Sequence, residues 1–243
     1  MNQRQNISSS AAIIVLAIIA GAGTILPAQA LTMGTREFVC PIDGRKFMAK
    51  TVNSYTRFGQ RLDLKPIGAL LAPLPVPVCP TNGFPVYKRI FTPDEIARLK
   101  AIVSSRAFKD ARKRNSDYYM VGFLKDRMGE TKFAVAYSYL RASWETENKK
   151  RGLHRRYLAL AVSTFDTFAK TAKPTTKSWW TAQLLAGNLE RRLGKFDAAA
   201  KRLSGLPLKA QPPGSIYARV VGQISAAIAA RDSAPRTFKP VKK

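Results

Sequence analysis

Hydrophobic and polar positions divide the chain into three stretches, and the first is almost purely apolar. Residues 11–28 carry no charge, Arg4 lies in the short polar start before them, and small residues stand at Ala28 and Ala30. A basic start, an apolar run and small residues in this order predict a signal peptide over residues 1–30 that is cleaved on export. The mature protein would then be periplasmic or secreted. The alternative is an uncleaved membrane anchor facing the periplasm, because an uncharged run of this length comes close to spanning a bilayer.

The second stretch, residues 31–91, lacks a helical spacing of apolar positions and is rich in proline and glycine. Proline has no backbone N–H and glycine favours turns, so only short strands and loops fit this composition. Apolar and β-branched residues recur over residues 36–39, 46–51 and 86–91, which predicts three strands. This stretch therefore predicts a small module of strands and loops.

The third stretch begins at Thr92, where apolar positions change to helical spacing. Thr92 can cap a helix, Pro93 suits the first helical position, and Glu95 completes a capping box. Short loops separate the later helices, which favours antiparallel neighbours. These helices are predicted over residues 116–127, 131–146, 153–171, 178–193, 195–204 and 215–231.

One pair of predicted helices has a more specific pattern. Leu189 and Leu193 form an apolar stripe, Gly194 can turn the chain, and Phe196 and Ala199 lie where a second helix would approach closely. This arrangement resembles a tetratricopeptide helix pair. Stacks of such pairs usually bind peptides or proteins.

The predicted fold class is mainly α, in two modules. A small β and loop module over residues 31–91 precedes a tetratricopeptide-like antiparallel helical array over residues 92–231. A second helix pair is matched more loosely over residues 117–144. The end of the chain, residues 232–243, is mostly basic and contains prolines, so we predict that it is disordered.

The two cysteines open similar phrases, C-P-I-D-G at Cys40 and C-P-T-N-G at Cys79. Zinc ribbons use C-P-x-C-G twice, so that two tight turns present four thiolates to one metal. Asp43 and Asn82 replace the second thiolates here, which predicts a degenerate zinc-ribbon-like module without a cofactor and a Cys40–Cys79 disulfide in an oxidising compartment. The alternatives are a metal site that includes Asp43, and thiols that are free or paired with another molecule. The ribbon turns are assigned to Pro41, Asp43, Gly44, Pro80, Asn82 and Gly83.

These phrases, together with R-L-D-L-K-P at Arg61 and E-R-R-L-G-K-F-D at Glu190, resemble a bacterial family of uncharacterised proteins. That family joins a C-P-x-C ribbon to tetratricopeptide-like helices. The resemblance would cover nearly all of residues 36–206 and supports the same architecture. It implies no activity, and the replacements at Asp43 and Asn82 would mark an exported branch.

The charge of the chain is unusual, because 41 Lys and Arg face 15 Asp and Glu, a formal net charge of +26. Such an excess favours association with anionic material, which outside the cytoplasm means lipid head groups, acidic polysaccharide or an acidic protein surface. Nucleic acid fits the charge but not the exported location. The alternative is that the excess serves solubility only, because it is spread along the chain.

Clusters of basic residues and one pair of tryptophans form the candidate binding surface. Its members are Arg112, Lys113, Arg114, Arg155, Arg156, Trp179, Trp180, Arg191 and Arg192. Arg191 and Arg192 are interpreted as a solvated helix face, and core packing is favoured for the two tryptophans, with one partly exposed. The only histidine, His154, is interpreted as an exposed helical residue, and Asp63 as a structural hydrogen-bond acceptor.

Two function classes are compatible with this sequence. The first is a binding or scaffold protein of the cell envelope, which holds a protein or peptide through the helical array and anionic material through its basic surface. The second is an enzyme that acts on an envelope polymer. No nucleophile motif, metal cluster or phosphate loop is present in the sequence, so no catalytic residue is assigned. A redox role is disfavoured because a functional dithiol normally has a close C-x-x-C pair.

Overall fold

The computed structural model describes residues 31–69, 72–212 and 214–239. The protein is mainly helical, with a small β region of two sheets at the N-terminal side. The predicted signal peptide lies outside the described residues. Within the part of the chain that is described, every helix is too short or too polar to cross a membrane.

The β region consists of two antiparallel hairpins. Strands β1 (Leu31–Val39) and β2 (Lys46–Tyr55) form a long ribbon, and β3 (Arg57–Gln60) and β4 (Pro66–Gly68) form a short one. The predicted strands over residues 36–39 and 46–51 are therefore confirmed, and both extend further than predicted.

The predicted strand over residues 86–91 is wrong, since this segment is a loop. The segment next to it in space is the proline-rich stretch before Cys79. Pro75 and Pro77 in that stretch have no backbone N–H, so they cannot donate the hydrogen bonds that pair two strands. One backbone hydrogen bond joins the two segments, from Val86 N to Pro77 O at 2.8 Å. The aromatic rings of the loop pack instead, with the centroids of Tyr87 and Phe91 5.3 Å apart.

In the described part of the chain eight α-helices follow, and most of their boundaries lie close to the predicted ones. They are α1 (Pro93–Ser104), α2 (Arg106–Arg114), α3 (Asp117–Arg127), α4 (Lys132–Thr146), α5 (Arg151–Ala169), α6 (Lys177–Arg192), α7 (Phe196–Ser204) and α8 (Ile216–Ala229), with a 3₁₀ turn at Leu208–Ala210. The capping box of Thr92 and Glu95 is confirmed. The break between α1 and α2 was not predicted, and it occurs where the Ser105 hydroxyl accepts a hydrogen bond from Phe108 N.

Four apolar clusters hold the described elements together, and the smallest joins α3, α4 and α5 around Tyr118, Ala142 and Tyr157. The other three are larger. One lies between α4, α5 and α6, around Leu140, Phe165 and Leu189. The second joins the disulfide and Phe84 to α1, α2 and α3. The third joins Leu62 of the β region to α6, α7 and α8. The β region therefore packs against the helices in more than one of these clusters.

The predicted disorder of the C-terminal tail is wrong for residues 232–239, because this part of the tail packs against the β region. Leu62 N donates to Arg236 O and Phe238 N donates to Gln60 O, both at 2.9 Å. The Phe238 side chain packs on the third apolar cluster. One apolar anchor and these backbone bonds offset the entropy of ordering a basic segment. Residues 240–243 lie outside the described part.

Both tryptophans of the candidate surface are buried. Trp180 is 1 % exposed and Trp179 is 9 % exposed, and their ring centroids lie 5.5 Å apart. Trp180 also stacks on Tyr217 of α8, with centroids 5.1 Å apart. The core interpretation therefore applies to both rings, and neither is available as a surface platform.

Candidate anion-binding pocket

The two ribbon turns have the same backbone structure and are joined by the predicted Cys40–Cys79 disulfide. Gly44 N donates to Cys40 O at 2.8 Å, and Gly83 N donates to Cys79 O at 2.9 Å. Both glycines have a φ of +73°, a conformation that residues with a Cβ rarely adopt. The repeated phrase in the sequence therefore corresponds to a repeated turn.

The replaced thiolate positions are joined by hydrogen bonds. Asn82 Nδ2 donates to Asp43 Oδ2 at 3.1 Å, and the Thr81 hydroxyl donates to the same carboxylate. The hydrogen bond from Thr81 is the main reason that the pKa of Asp43 lies below its ordinary value. Among the described residues, no group of three or more His, Cys, Asp and Glu side chains is arranged to hold a metal ion.

A pocket of about 650 Å³ lies where the β region meets the helices. We name it the basic pocket, and its lining residues are Arg61, Lys65, Glu147, Asn148, Lys149, Arg151, His154, Arg192 and Pro235. Five of these residues are Lys or Arg and one is a carboxylate. They come from the β3–β4 turn, the α4–α5 loop, the first turn of α5, the end of α6 and the C-terminal tail.

The floor of the basic pocket is a buried network of ion pairs. Arg192 Nη1 lies 2.9 Å from Asp63 Oδ2, and Arg192 Nη2 lies 2.6 Å from Glu147 Oε1. Arg61 contacts the same two carboxylates, with Nη1 2.8 Å from Glu147 Oε2. Lys65 Nζ lies 2.8 Å from Glu147 Oε2. Two acids and three bases therefore tie the β region to α4 and α6.

The carboxylate of Glu147 stays ionised at neutral pH. Burial alone would raise the pKa of Glu147, but hydrogen bonds from Arg61 and Lys65 outweigh it and hold the pKa well below its ordinary value. Asp63 is 1 % exposed and also accepts a hydrogen bond from Lys65 N at 3.2 Å. Its interpretation as a structural acceptor fits this geometry, although its main partners are the two arginines.

His154 is buried, so its interpretation as an exposed residue is wrong. Its side chain lies against α4, and Nδ1 is 2.9 Å from Ser143 O. The Ser143 carbonyl can only accept, so Nδ1 carries the hydrogen. The other ring nitrogen, Nε2, is then an acceptor and lies 3.4 Å from Arg192 Nη2. Burial, together with the charge of Arg192, lowers the pKa of His154. A neutral imidazole therefore forms part of the pocket wall.

Arg191 and Arg192 are also buried, so the solvated helix face predicted for them is wrong. Arg191 is 0 % exposed. Its guanidinium donates to Asn188 Oδ1 at 2.9 Å and to Ala234 O at 3.0 Å. Helices α5, α7 and α8 and the tail surround α6, so both arginines at its end find partners inside the protein. Arg191 fixes the C-terminal tail, whereas Arg192 forms part of the pocket floor.

The rim of the basic pocket has unpaired positive charge. Lys149 and Arg151 are exposed, and in the described chain neither has an ion-pair partner within 4.0 Å. Helix α5 begins here, and its N-cap residue Lys150 makes no capping hydrogen bond through its side chain. The free N–H groups of the first turn and the helix dipole both favour an anion at this position.

The remaining members of the candidate surface lie on α2 and α5, and none of them lines the basic pocket. Arg156 Nη1 is 3.4 Å from Asn115 Oδ1, which brings Arg156 next to the basic end of α2. That end carries Arg112, which is 2.6 Å from Asp117, and the exposed Lys113 and Arg114. Arg155 points to the end of α6, where it donates to Leu193 O at 3.1 Å. Of the predicted surface residues, Arg192 alone lines the basic pocket, and the basic residues of α2 and α5 form a separate patch.

The pocket residues that were missed had one signal in the sequence. Arg61, Asp63 and Lys65 alternate with leucines, and this alternation can place polar side chains on one side of a segment. Glu147 and the run from Lys149 to Arg151 had no comparable pattern that relates them to the β region.

A half-buried carboxylate outside the pocket, Glu145, predicts a pH effect on stability. Burial, with help from the negative charge of Asp117, raises the pKa of Glu145 from 4.5 to about 7. The folded state then holds a proton that the unfolded state releases, so stability falls as pH rises from 4.5 to 7. Glu145→Gln removes the carboxylate that must ionise above pH 7, and it keeps an acceptor for Tyr118 N. The variant is therefore expected to be more stable than wild type at pH 8 by about 2–3 kcal/mol.

The measurement is urea denaturation at pH 5 and at pH 8. The stability difference between wild type and Glu145→Gln should be small at the lower pH and large at the higher one. Glu37→Gln is the control, because the Glu37 side chain is 53 % exposed. Equal effects of Glu145→Gln at both pH values would contradict the prediction.

The basic pocket can hold an anion but is poorly equipped for proton transfer. Its carboxylate is held ionised by Arg61 and Lys65, and its histidine has both ring nitrogens next to fixed partners. An anion on the rim would meet Lys149, Arg151 and the N–H groups at the start of α5. Comparisons of the chain with known protein families, with curated proteins and with solved structures found no match.

Proposed function

We propose that this chain is an exported binding or scaffold protein of the cell envelope, and that the basic pocket holds an anionic group of its partner. The observation that carries the proposal is the composition of the pocket, in which five Lys and Arg surround one carboxylate. The floor uses Arg61, Lys65 and Arg192 against Asp63 and Glu147. Lys149 and Arg151 therefore remain to neutralise a bound anion.

The anion would meet a site in which its hydrogen-bond donors are already in place. Arg192 is 9 % exposed, and its buried Nε has no hydrogen-bond partner among the described residues. The guanidinium is held by Asp63 and Glu147 through its other two nitrogens. A donor that is fixed before binding loses little entropy on binding. Phosphate and carboxylate groups both suit this chemistry.

The alternative, an enzyme that acts on an envelope polymer, has less support. A general acid or base needs a pKa near the working pH. The pKa of Glu147 lies well below its ordinary value because of its ion pairs, and the neutral His154 is hydrogen-bonded to Ser143. A binding role does not require either group to exchange a proton.

The disulfide supports export. Cytosolic proteins rarely keep a structural disulfide, whereas periplasmic and secreted proteins do. Cys40 and Cys79 are 1 % and 0 % exposed, so their bond lies in the protein core and not at a reactive surface. Together with the predicted signal peptide, this favours a periplasmic or secreted protein.

The helical part is proposed to be a tetratricopeptide-like array, and the β region a degenerate zinc ribbon. Gly194 has a φ of +80° between α6 and α7, and Ala199 of α7 is fully buried. The repeated turns at Cys40 and Cys79 support the ribbon part. On this basis the helical surface would bind a protein or peptide, and the basic pocket would anchor an acidic group on it.

Calorimetric titration with inorganic pyrophosphate tests the pocket proposal, because this probe is small and strongly anionic. We expect saturable binding with one site per chain, which weakens as salt rises from 50 to about 200 mM. The variant Lys149→Glu/Arg151→Glu should bind about tenfold more weakly, equivalent to about 1.4 kcal/mol.

The matched control is Lys100→Glu/Lys109→Glu, which makes the same change of net charge at two exposed positions on α1 and α2. Its affinity should stay within about twofold of wild type, since these sites are screened from the pocket. If both double variants lose affinity equally, the probe senses the overall charge and the pocket is not a binding site.

A further inference from the structure

The β1–β2 ribbon has one face on which most side chains are exposed to solvent. Strand residues alternate between faces, so odd-numbered residues of β1 and their partners on β2 share one side. The register pairs Met33 with Val52, Thr35 with Lys50, Glu37 with Met48, and Val39 with Lys46. We name this side the outer face of the ribbon, and its first residue is Leu31.

The outer face exposes large apolar side chains. Leu31 is 40 % exposed, Met33 45 %, Val39 54 % and Met48 62 %. The opposite face is directed toward the protein, since Phe38 and Phe47 stack there with centroids 5.9 Å apart and Phe47 packs on the cluster around the disulfide. The ribbon is therefore fixed on one face and presents apolar groups to solvent on the other.

Lysines lie among these apolar side chains. Lys46 and Lys50 are exposed on the outer face, and Lys46 Nζ is 3.0 Å from Glu37 Oε1. Long basic side chains beside exposed apolar ones are the composition of surfaces that lie at an anionic lipid interface. The chain as a whole has a formal net charge of +26, which also attracts it to such a surface.

The position of the ribbon in the sequence points to the same partner. The uncharged run of residues 11–28 ends shortly before β1 begins at Leu31. This step rests on the proposed export, in which that run, as a cleaved signal or as an anchor, would bring the chain to a membrane. The ribbon is the first folded element after it. A second copy of this chain is a less suitable occupant, because two chains of this charge repel each other.

We propose that the outer face of the β1–β2 ribbon docks on an anionic lipid bilayer. The apolar side chains enter the headgroup region, while Lys46 and Lys50 contact lipid phosphates. This inference is independent of the basic pocket, which is formed by other residues and binds its own anionic group.

Vesicle co-sedimentation of the purified full chain tests the proposal. Phosphatidylcholine vesicles are compared with vesicles that contain about 30 % phosphatidylglycerol, and wild type is expected to prefer the anionic ones about tenfold. Met33→Ser/Met48→Ser should weaken binding at least about tenfold, because each methionine loses apolar burial. Lys50→Ala should weaken binding to anionic vesicles about fivefold, the effect of one lysine at a lipid surface.

The matched control is Ile90→Ser/Ile216→Ser, which removes two other exposed apolar side chains, 81 % and 44 % exposed. It should bind vesicles within about twofold of wild type. Equal binding of wild type to both kinds of vesicle would overturn the proposal, as would unchanged binding of the methionine variant. The last check is sedimentation velocity without vesicles. If wild type is a dimer and the Met33→Ser/Met48→Ser variant is a monomer, the outer face binds a second copy of the chain and the proposal is overturned.

Discussion

Replacing Arg192 with methionine is expected to lower the free energy of unfolding by about 3–5 kcal/mol. The side chain of Arg192 is 5 % exposed and contacts two carboxylates, Asp63 and Glu147. Methionine preserves much of the volume but none of the charge, so Arg61 would be the one cation left against Asp63 among the described residues. A buried carboxylate that loses a partner retains its desolvation penalty, which explains the large effect.

Urea denaturation followed by circular dichroism measures this effect. Arg106→Met is the control, because the side chain of Arg106 is 96 % exposed, and its effect should stay within about 0.5 kcal/mol. Adding Asp63→Asn to Arg192→Met should recover part of the loss, because the uncompensated charge is removed. A loss below about 1 kcal/mol for Arg192→Met would mean that the network contributes no more than surface ion pairs do.

The same network sets the acid limit of the fold. The pKa of Glu147 is depressed in the folded state, so its stabilisation is present above the ordinary value of 4.5 and disappears as pH falls below it. In Arg192→Met the pKa of Glu147 should move back toward its ordinary value. The variant should therefore lose less stability than wild type between pH 5 and about pH 3.

The helices were predictable because the signals that begin and end them are local. Thr92 with Glu95, Thr131 and Ser215 all cap helices at the predicted places. Gly194 ends a helix in the conformation that glycine favours. These signals operate within about four residues of each other, so one sequence is sufficient to detect them.

The basic pocket was not predictable in the same way, because its residues are distant in the sequence. Arg61 lies 86 positions from Glu147, and Asp63 lies 129 positions from Arg192. Charged residues are usually exposed, so the sequence favoured a solvated Arg192. Only the packing of α6 at the centre of the helices reverses that expectation.

The C-terminal tail illustrates the limit of composition as a guide to order. Basic residues and prolines predicted disorder, yet a few directional contacts are sufficient to order residues 232–239. Arg191 donates to backbone carbonyls of Asp232 and Ala234, and Phe238 adds apolar burial. None of these contacts can be read from the tail alone, since their partners lie on α6 and in the β region.

Loss of the Cys40–Cys79 disulfide is the other change with a large expected effect. The bond joins residues 39 positions apart, and closing a loop of that length stabilises a fold by about 4 kcal/mol in the chain-entropy estimate. Cys40→Ser/Cys79→Ser should therefore lower the free energy of unfolding by about this amount. Hydrogen bonds of Asn82 and Thr81 to Asp43 remain in the variant and limit the change in the folded state.

Urea denaturation with and without a phosphine reductant separates the disulfide from the substitutions. Wild type should fall to the stability of the double serine variant when it is reduced, and the variant itself should not respond to reductant. The loss acts through the unfolded chain, so the variant should keep the native circular dichroism spectrum at low urea. If reduced wild type stays within about 1 kcal/mol of the oxidised protein, the two turns are held by their hydrogen bonds and by the apolar cluster around Phe84.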